Sequence, residues 1–436
     1  MYKIGIDLAQ ISRMEQCLQN PRFMTRVFSK AEQDFLAAKG EEASSAAANF
    51  AAKEAFSKAL GTGIRGFSLN EVSVLRHENG EPYLLLEGKA KEIAQERGLT
   101  FSVSLTHEGG MACAVVTAHR GNAGLQPVAP ERLDRLQKKF GADLKRASLL
   151  DASFVSSVFP KRDPLSHKGS YGKLTILAGC NCYRGAAALC TGAALRSGAG
   201  IVTLASVPSV IDAVSAKLYE PVYLPLPQNE EGTLSSLAVP PLLEQAKAAS
   251  ALLIGCGLGR SEDVSAAVTA LLETAVCPVV LDADGLNAIA SRIDILRTAK
   301  CRIIVTPHLG EMSRLCGKSI AALQDDPAGA AKAFAETYGV TVVLKDADTV
   351  VASPDGSLFL NTTGNAGMAR GGSGDVLAGI IAAFVCQGLS PEHAAACGVY
   401  LHGAAGDLAA AGGSMLGMLP SDMIDVLPRL YHFAEE

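Results

Sequence analysis

The stretch from Gly364 to Ile381, GNAGMARGGSGDVLAGII, sets an acid, Asp375, inside a glycine-rich turn that runs straight into an apolar, helix-forming segment. Glycine lets backbone approach a ligand closely, and the unpaired amides at a helix start, with the helix dipole, attract anions. A carboxylate in such a hole repels phosphate, so its chemical use is to accept the proton of a hydroxyl attacking phosphorus. A bare GxGD also suits a plain turn with Asp375 as a helix cap. The density of glycine and the residues upstream favour the chemical use.

Those upstream residues form short buried runs, KLTILAG, IVTLASV, ALLIGCGLG, PVVLDADGLN, RIIVTPH and VTVVLKD, separated by helical segments such as GAAALCTGAALRSGAG. The alternation predicts an α/β fold with a largely parallel sheet covered on both faces. Ligands of such sheets sit beyond the carboxyl ends of the strands. Gly257, Asp282, Asp284, His308, Lys345 and Asp375 fall near those ends, so the polar candidates converge on one rim. A lone His308 also suits a satisfied core or loop histidine; several polar groups at successive ends suit a site.

A second set of candidates lies near the start. Lys3 to Leu8 reads as a short strand that places the carboxylate of Asp7 near its mouth. Ser44 to Leu60, SSAAANFAAKEAFSKAL, is alanine-rich and stopped by Gly61, so it predicts a helix. Phe50, Glu54 and Lys58 share one of its faces. Glu54 four residues before Lys58 is equally the favourable order for a surface ion pair. Arg13, Arg22, Arg26 and Lys30 give the region between a basic character, which also suits a solvated charged face.

Length and composition bound the rest. A chain of 436 residues suits two or three domains, and 48% hydrophobic with 19% charged residues describes a well-buried globular protein. A net charge of −5 argues against general nucleic-acid binding. The apolar run Val376 to Val385 is too short to cross a bilayer, which predicts no membrane span. Eleven cysteines without a CxxC pair or a secretory leader read as reduced thiols in a cytoplasmic protein. Gly121 to Pro130 has no periodicity and reads as linker, charged Glu131 to Leu150 suits a helix, packed or loose, and 121–150 is taken as the join between domains at 1–120 and 151–436.

GIDLAQISRME, NFAAKEAFSKALGTGI, NGEPYLLLEG and SVSLTHEGGMACAVV follow one another as they do in holo-[acyl-carrier-protein] synthases, and the likeness covers nearly all of residues 1 to 120. The resemblance implies an α+β 4'-phosphopantetheinyl transferase domain that moves phosphopantetheine from coenzyme A (CoA) to a serine of acyl carrier protein. It implies Mg2+ held by Asp7 and Glu54 against the CoA diphosphate, Lys58 near a phosphate and His107 close to the site. Arg13, Arg22 and Arg26 would face the acidic helix of the carrier protein, and the family's trimers imply a homo-oligomer. Two departures stand out: Asn49 where an arginine is common, which would weaken contact with CoA phosphates, and Gln10 where an acid is frequent.

SHKGSYGKLTILAG, YRGAAALCTGAALRSGAGIVTLA, IGCGLG, LDADGLN, TPHLGEMSRL, GNAGMARGGSGDVLAGIIAAF and YLHGAAGDLA resemble, in order, the NAD(P)H-hydrate dehydratases, relatives of ribokinase. The resemblance implies a ribokinase-like α/β/α domain over 151–436 that restores cofactors hydrated at C6 of the nicotinamide ring, with ADP or ATP as phosphoryl donor. It implies that Ala186, Gly257, His308 and Asp375 contact the NAD(P)H hydrate. Lys345, Asp346, Ala347, Asp348, Thr349 and Gly374 would hold the nucleotide, and the amides of Gly371, Gly372, Ser373 and Gly374 would stabilise the migrating phosphoryl group. Asp375 would take the hydroxyl proton, after which the ring nitrogen expels phosphate. Asp346 stands where the family has glycine, and Arg370 is unusual in the glycine block; Arg370 would compensate the charge of Asp346 if the fold joined them. No epimerase segment precedes the dehydratase stretch. A ribokinase-like small-molecule kinase and a non-catalytic nucleotide sensor remain the alternative readings of this domain.

Overall fold

Gly5 shows how closely the first part of the chain is packed. A Cβ built there would lie 1.9 Å from the carbonyl oxygen of Ala55, so only glycine lets strand and helix meet. The computed structural model describes residues 3–38, 43–77, 80–96, 99–120, 128–141 and 143–435. The chain divides into two compact units, Met1–Gly124 and Leu125–Glu436.

In the first unit β1 (Lys3–Gln10) lies at an edge of a three-stranded antiparallel sheet. The hairpin β2 (Val72–Arg76) and β3 (Pro82–Leu86) forms a two-stranded sheet of its own. β4 (Leu99–Glu108) and β5 (Met111–Arg120) complete the three-stranded sheet, in the order β1-β5-β4, with β3 beside β4. The helix Ala43–Leu60 packs on one face of it. Its buried Ala51, Ala52, Ala55 and Ala59 present little side chain, and Ala112, Ala114, Val116 and Ala118 of β5 are buried too. The opposite face of β1 leaves Ile4, Ile6 and Leu8 more than half exposed. This follows from the period-2 alternation of a strand covered on one side.

The second unit is built on a ten-stranded sheet. Its strands in chain order are β6 (Ser148–Leu149), β7 (Lys173–Leu177), β8 (Ile201–Ser206), β9 (Val222–Pro225), β10 (Ala251–Ile254), β11 (Val279–Leu281), β12 (Ile303–Val305), β13 (Thr341–Leu344), β14 (Val350–Ala352) and β15 (Leu358–Leu360). They lie in the order β6-β15-β14-β13-β12-β11-β10-β7-β8-β9. From β13 to β9 every neighbouring pair is parallel, and β14 and β15 continue antiparallel. Every residue of β10, β11, β12 and β13 is buried, as expected of a sheet covered on both faces. The chain runs β7-β8-β9 to one side and returns to β10 on the other side of β7. That reversal opens a crevice beyond the ends of β7 and β10.

The helix Ser373–Cys386 is apolar almost all round and buried from Val376 to Cys386. Burial of Val376, Leu377, Ile380, Ile381 and Phe384, at about 1.5–3 kcal/mol each, seats it firmly. Gly379 lets it approach Cys190 of the helix Arg184–Arg196, where an added Cβ would lie 2.3 Å from the Cys190 carbonyl oxygen.

The stretch 121–150 is more than the join expected of it. Residues 121–127 lie outside the described residues. Beyond them the helix Pro130–Phe140 buries Leu136 and Phe140 in the core of the second unit, and β6 pairs with β15. Leu133, Leu136 and Phe140 share one face while the remainder is polar, and burial of Leu136 and Phe140 makes the helix that the charged stretch allowed a packed one.

Candidate active sites

In the second unit, successive strand ends deliver their polar groups to one point. β11 ends at Leu281 and is followed by Asp282 and then Ala283 at φ 48°, the only non-glycine residue with positive φ among those described. That strained turn aims both neighbouring acids. Asp282 Oδ1 accepts from Thr306 Oγ1 at 2.6 Å and from Lys345 Nζ at 2.6 Å. Asp284 accepts instead from the Gly259 amide at 2.9 Å and lies 3.6 Å from Arg260, so it closes the loop after β10.

Asp375 enters from the first turn of the helix Ser373–Cys386, whose cap is Gly372 at φ 98°. An oxygen of Asp375, an oxygen of Asp282 and Cys256 Sγ all lie within 4.8 Å of one another. Burial, then the charge of Asp282, raises the Asp375 carboxyl to about 7; Cys256 and Lys345 pull against them. Burial alone would lower Lys345, yet Asp282 and Glu311 together hold it above its ordinary value. A cation beside a proton-sharing carboxyl is an arrangement for general-base chemistry next to a negatively charged group. Three such ligand atoms could also hold a metal ion, but Lys345 already supplies the counter-charge to Asp282.

The expected contacts divide. A Cβ on Gly257, at φ 63°, would lie 2.8 Å from Ala186 Cβ, so these two residues line one wall. A Cβ on Gly374 would lie 3.3 Å from Lys345 Nζ, which brings the glycine block and the lysine together. Gly371 and Gly372 form the turn before Ser373, whose carbonyl is bonded to the buried His402 at 2.9 Å. Burial drives His402 down to about 4, so it stays neutral beneath the helix start. His308 caps the helix Leu309–Cys316: its Nδ1 accepts from the Gly310 amide at 2.9 Å and the Glu311 amide at 3.3 Å. The proton of the neutral ring therefore sits on Nε2, which faces Glu311 at 3.4 Å.

Within the turn after β13, only Asp346 and Ala347 are exposed. Asp348 is buried on Arg135 at 2.6 Å, and Thr349 closes the turn on Asp346. Asp346 pairs with Lys139 at 3.0 Å, whereas Arg370 donates to the Leu416 carbonyl. The expected compensation of Asp346 by Arg370 is thus replaced by one from the helix Pro130–Phe140. Lys139, Arg135, Glu311 and Cys256 were not among the expected site residues; of these only Glu311 and Cys256 had a signal, their place inside TPHLGEMSRL and IGCGLG.

In the first unit Asp7 projects from β1 toward the helix Ala43–Leu60, where Lys58 Nζ reaches its Oδ1 at 2.7 Å. Burial, then the charge of Asp7, raises Glu54, and Lys58 opposes this. Two close carboxylates with hard oxygens fit Mg2+, which takes one or two such ligands and completes its shell with phosphate and water. His107 stands opposite Ala112, itself opposite Ala9, so it shares the helix-side face with Asp7, two strand spacings across and two residues along, about 12 Å away. Arg13, Arg22 and Arg26 are exposed on the successive helices Ile11–Leu18 and Pro21–Val27. Gln10 ends β1. Asn49, expected near phosphate, is instead buried, donating to Glu32 and to the Val74 carbonyl. It belongs to a network in which fully buried Lys53 meets Glu32 at 2.6 Å. That network orients the helix so that Glu54 and Lys58 face the other way.

The comparisons agree with this division. The 4'-phosphopantetheinyl transferase superfamily profile matches residues 3–116, and the NAD(P)H-hydrate dehydratase profile matches residues 174–429, more than half of the chain. A bifunctional NAD(P)H-hydrate repair enzyme of Moorella thermoacetica is 42% identical over 288 residues, covering 66% of this chain and 54% of that protein. The ADP-dependent (S)-NAD(P)H-hydrate dehydratase of Bacillus subtilis is 39% identical over 277 residues, covering 64% of this chain and 95% of the enzyme. A crystal structure of the ADP/ATP-dependent NAD(P)H-hydrate dehydratase from Bacillus subtilis, co-crystallised with ATP/Mg2+, matches with a TM-score of 0.58 and 34% identity over 66% of this chain and 99% of that one. The chain spans about half the length of the bifunctional relatives it matches. With its parallel sheet, its glycine-capped helix and Asp375 at the helix start, the chain belongs to the NAD(P)H-hydrate dehydratase family.

Proposed function

We propose that the second unit is an ADP-dependent dehydratase of (6S)-NAD(P)H hydrate and that the first is a holo-[acyl-carrier-protein] synthase. The observation that carries the first half is Asp375: a carboxyl held at about 7, at a glycine-capped helix start, beside Lys345 and Asp282. A base titrating near neutrality can take the proton of the C6 hydroxyl as it attacks the terminal phosphate of ADP. The amides of Gly371, Gly372, Ser373 and Gly374 and the ammonium of Lys345 offset charge on the migrating group. The O–P bond forms as the bond to the nucleotide breaks. The ring nitrogen lone pair then expels inorganic phosphate, and loss of the C5 proton restores the dihydronicotinamide. Ala186, Gly257 and the Nε2 side of His308 line the hydrate side. The turn Lys345–Thr349 lines the nucleotide side, with Asp346 and Ala347 the parts open to it.

The Bacillus subtilis relatives, described as ADP-dependent and as ADP/ATP-dependent, support ADP or ATP as donor. The full chain with hydrated NAD(P)H and each nucleotide should release phosphate and recover the absorbance of reduced nicotinamide. A small-molecule kinase would instead yield a phosphorylated product, and a sensor would bind nucleotide without turnover; either result overturns the assignment.

In the first unit Asp7 and Glu54 would hold Mg2+, whose charge would steady the CoA diphosphate. Lys58 would move from Asp7 to a phosphate, with His107 nearby, and exposed Arg13, Arg22 and Arg26 would receive an acidic carrier protein, placing the enzyme in fatty acid biosynthesis. The uncovered Ile4, Ile6 and Leu8 face supports a homo-oligomer. Among the described residues no helix is long and apolar enough to cross a membrane. The catalytic domains would be 1–120 and a dehydratase that begins with the helix at Pro130.

A further inference from the structure

Between the two carboxylates of the dehydratase site lies a thiol that the chemistry above does not use. Cys256 follows β10 in the turn Gly255–Gly257 and is fully buried. Its Sγ is 3.6 Å from Asp282 Oδ2 and within 4.8 Å of an Asp375 oxygen. Asp282 Oδ1 is already taken by Thr306 and Lys345, so Oδ2 is the oxygen left toward the thiol and Asp375.

We infer that Cys256 is a positioning residue of the dehydratase site, its single S–H passing between Asp282 and Asp375 according to which carboxylate carries the greater negative charge. The inference rests on Asp375 being the base. When Asp375 is protonated, the thiol donates to Asp282. When Asp375 ionises, the thiol turns to it and stabilises the form that accepts the substrate proton. No bond is made or broken beyond the hydrogen bond. A thiol is a weak donor, so it favours the ionised carboxylate without holding it too firmly to react. The other groups around Asp375 come from every neighbouring element: Asp282 and Asp284 after β11, Lys345 after β13, Glu311 behind Lys345, His402 beneath Ser373, and Cys190 beside Cys256. None of these offers a second neutral donor toward both carboxylates.

The test compares Cys256→Ala and Cys256→Ser in the full chain. Dehydration requires ionised Asp375, so activity falls as pH drops through its pKa. Losing the thiol should move that acidic limb to higher pH by a few tenths of a unit, about the difference between two modest hydrogen bonds, because the bond gained by ionised Asp375 is offset in part by the one Asp282 gives up. Serine, a stronger donor of similar size, should leave the limb in place or move it lower. Infrared titration of the resting protein gives the same answer without turnover, because few other carboxyls remain protonated near neutrality. The Asp375→Asn variant identifies the band. An unmoved limb and band in Cys256→Ala, or an upward shift in Cys256→Ser, overturns the inference; if Cys256→Ala fails to fold, the serine result decides. A wild-type protein that titrates as described but dehydrates nothing would overturn the dehydratase reading and leave the thiol's placement standing.

Discussion

Asp375 carries opposing demands at the scale of one residue. In the proposed role of base it must ionise, yet burial and Asp282 resist that and hold its carboxyl at about 7. The folded state therefore binds more protons than the unfolded chain between about pH 4 and pH 7. Stability contributed by the protonated form is lost as pH rises through that window. A shift of this size sets a ceiling of about 4 kcal/mol, and partial solvation brings the expected effect to about 1–2 kcal/mol. Asp375→Asn should thus unfold at a higher temperature than wild type at pH 8 and at a similar one at pH 4, by calorimetry. The same variant should lose dehydration by about a hundredfold or more while nucleotide binding, which in the proposed site rests on backbone amides, persists. Wild-type turnover should rise with pH through about 7 and then level. Near-normal turnover of the variant would remove Asp375 from the role of base.

At the scale of elements, the helix Pro130–Phe140 is tied to the proposed nucleotide turn. Arg135 holds Asp348, Lys139 holds Asp346, and Arg132 donates to the Gly364 carbonyl at 3.0 Å at the start of the glycine block. The helix thus braces both loops that would meet the nucleotide. Asp346 alone would repel a phosphate, and Lys139 offsets it. The expected outcome is that Lys139→Ala weakens ADP binding several-fold and that Asp346→Gly strengthens it slightly. The double variant should recover most of the loss, with a coupling of about 0.5–1 kcal/mol. Calorimetric titration of ADP into the four proteins measures it. Additive effects would mean that Asp346 never senses the nucleotide.

Across the whole molecule, each unit has its own core and its own cluster of charged groups. The carboxylates of Asp7 and Glu54 belong to one unit and Asp375 to the other. Asp7→Ala or Glu54→Ala should therefore abolish Mg2+-dependent phosphopantetheine transfer to a carrier protein and leave hydrate repair at its wild-type rate. A carrier-modification assay run beside the dehydration assay reads both. Transfer at the normal rate in either variant would mean that these two acids are not the metal ligands.

The α/β alternation of the second unit was legible because buried strands need continuous apolar runs and their ends need turns, so KLTIL, ALLIG, VVLDAD and TVVLK announce themselves. Strand and helix ends likewise placed Asp375 and Lys345 on one rim, whereas the spacing of Glu54 and Lys58 by itself suited a surface pair and only the resemblance singled out Asp7 and Glu54. The strand order was not legible: local periodicity does not encode which strand lies beside β7, and that order opens the crevice. The partners of the charged residues were equally hidden. Asp346 lies 207 residues from Lys139 in the chain, and Lys53 lies 21 from Glu32. Ion pairing depends on distance in space, and only the folded chain sets that distance. For the same reason nothing in IGCGLG set Cys256 apart from the other thiols. Its place between two carboxylates exists only once β10, β11 and the helix Ser373–Cys386 are packed together.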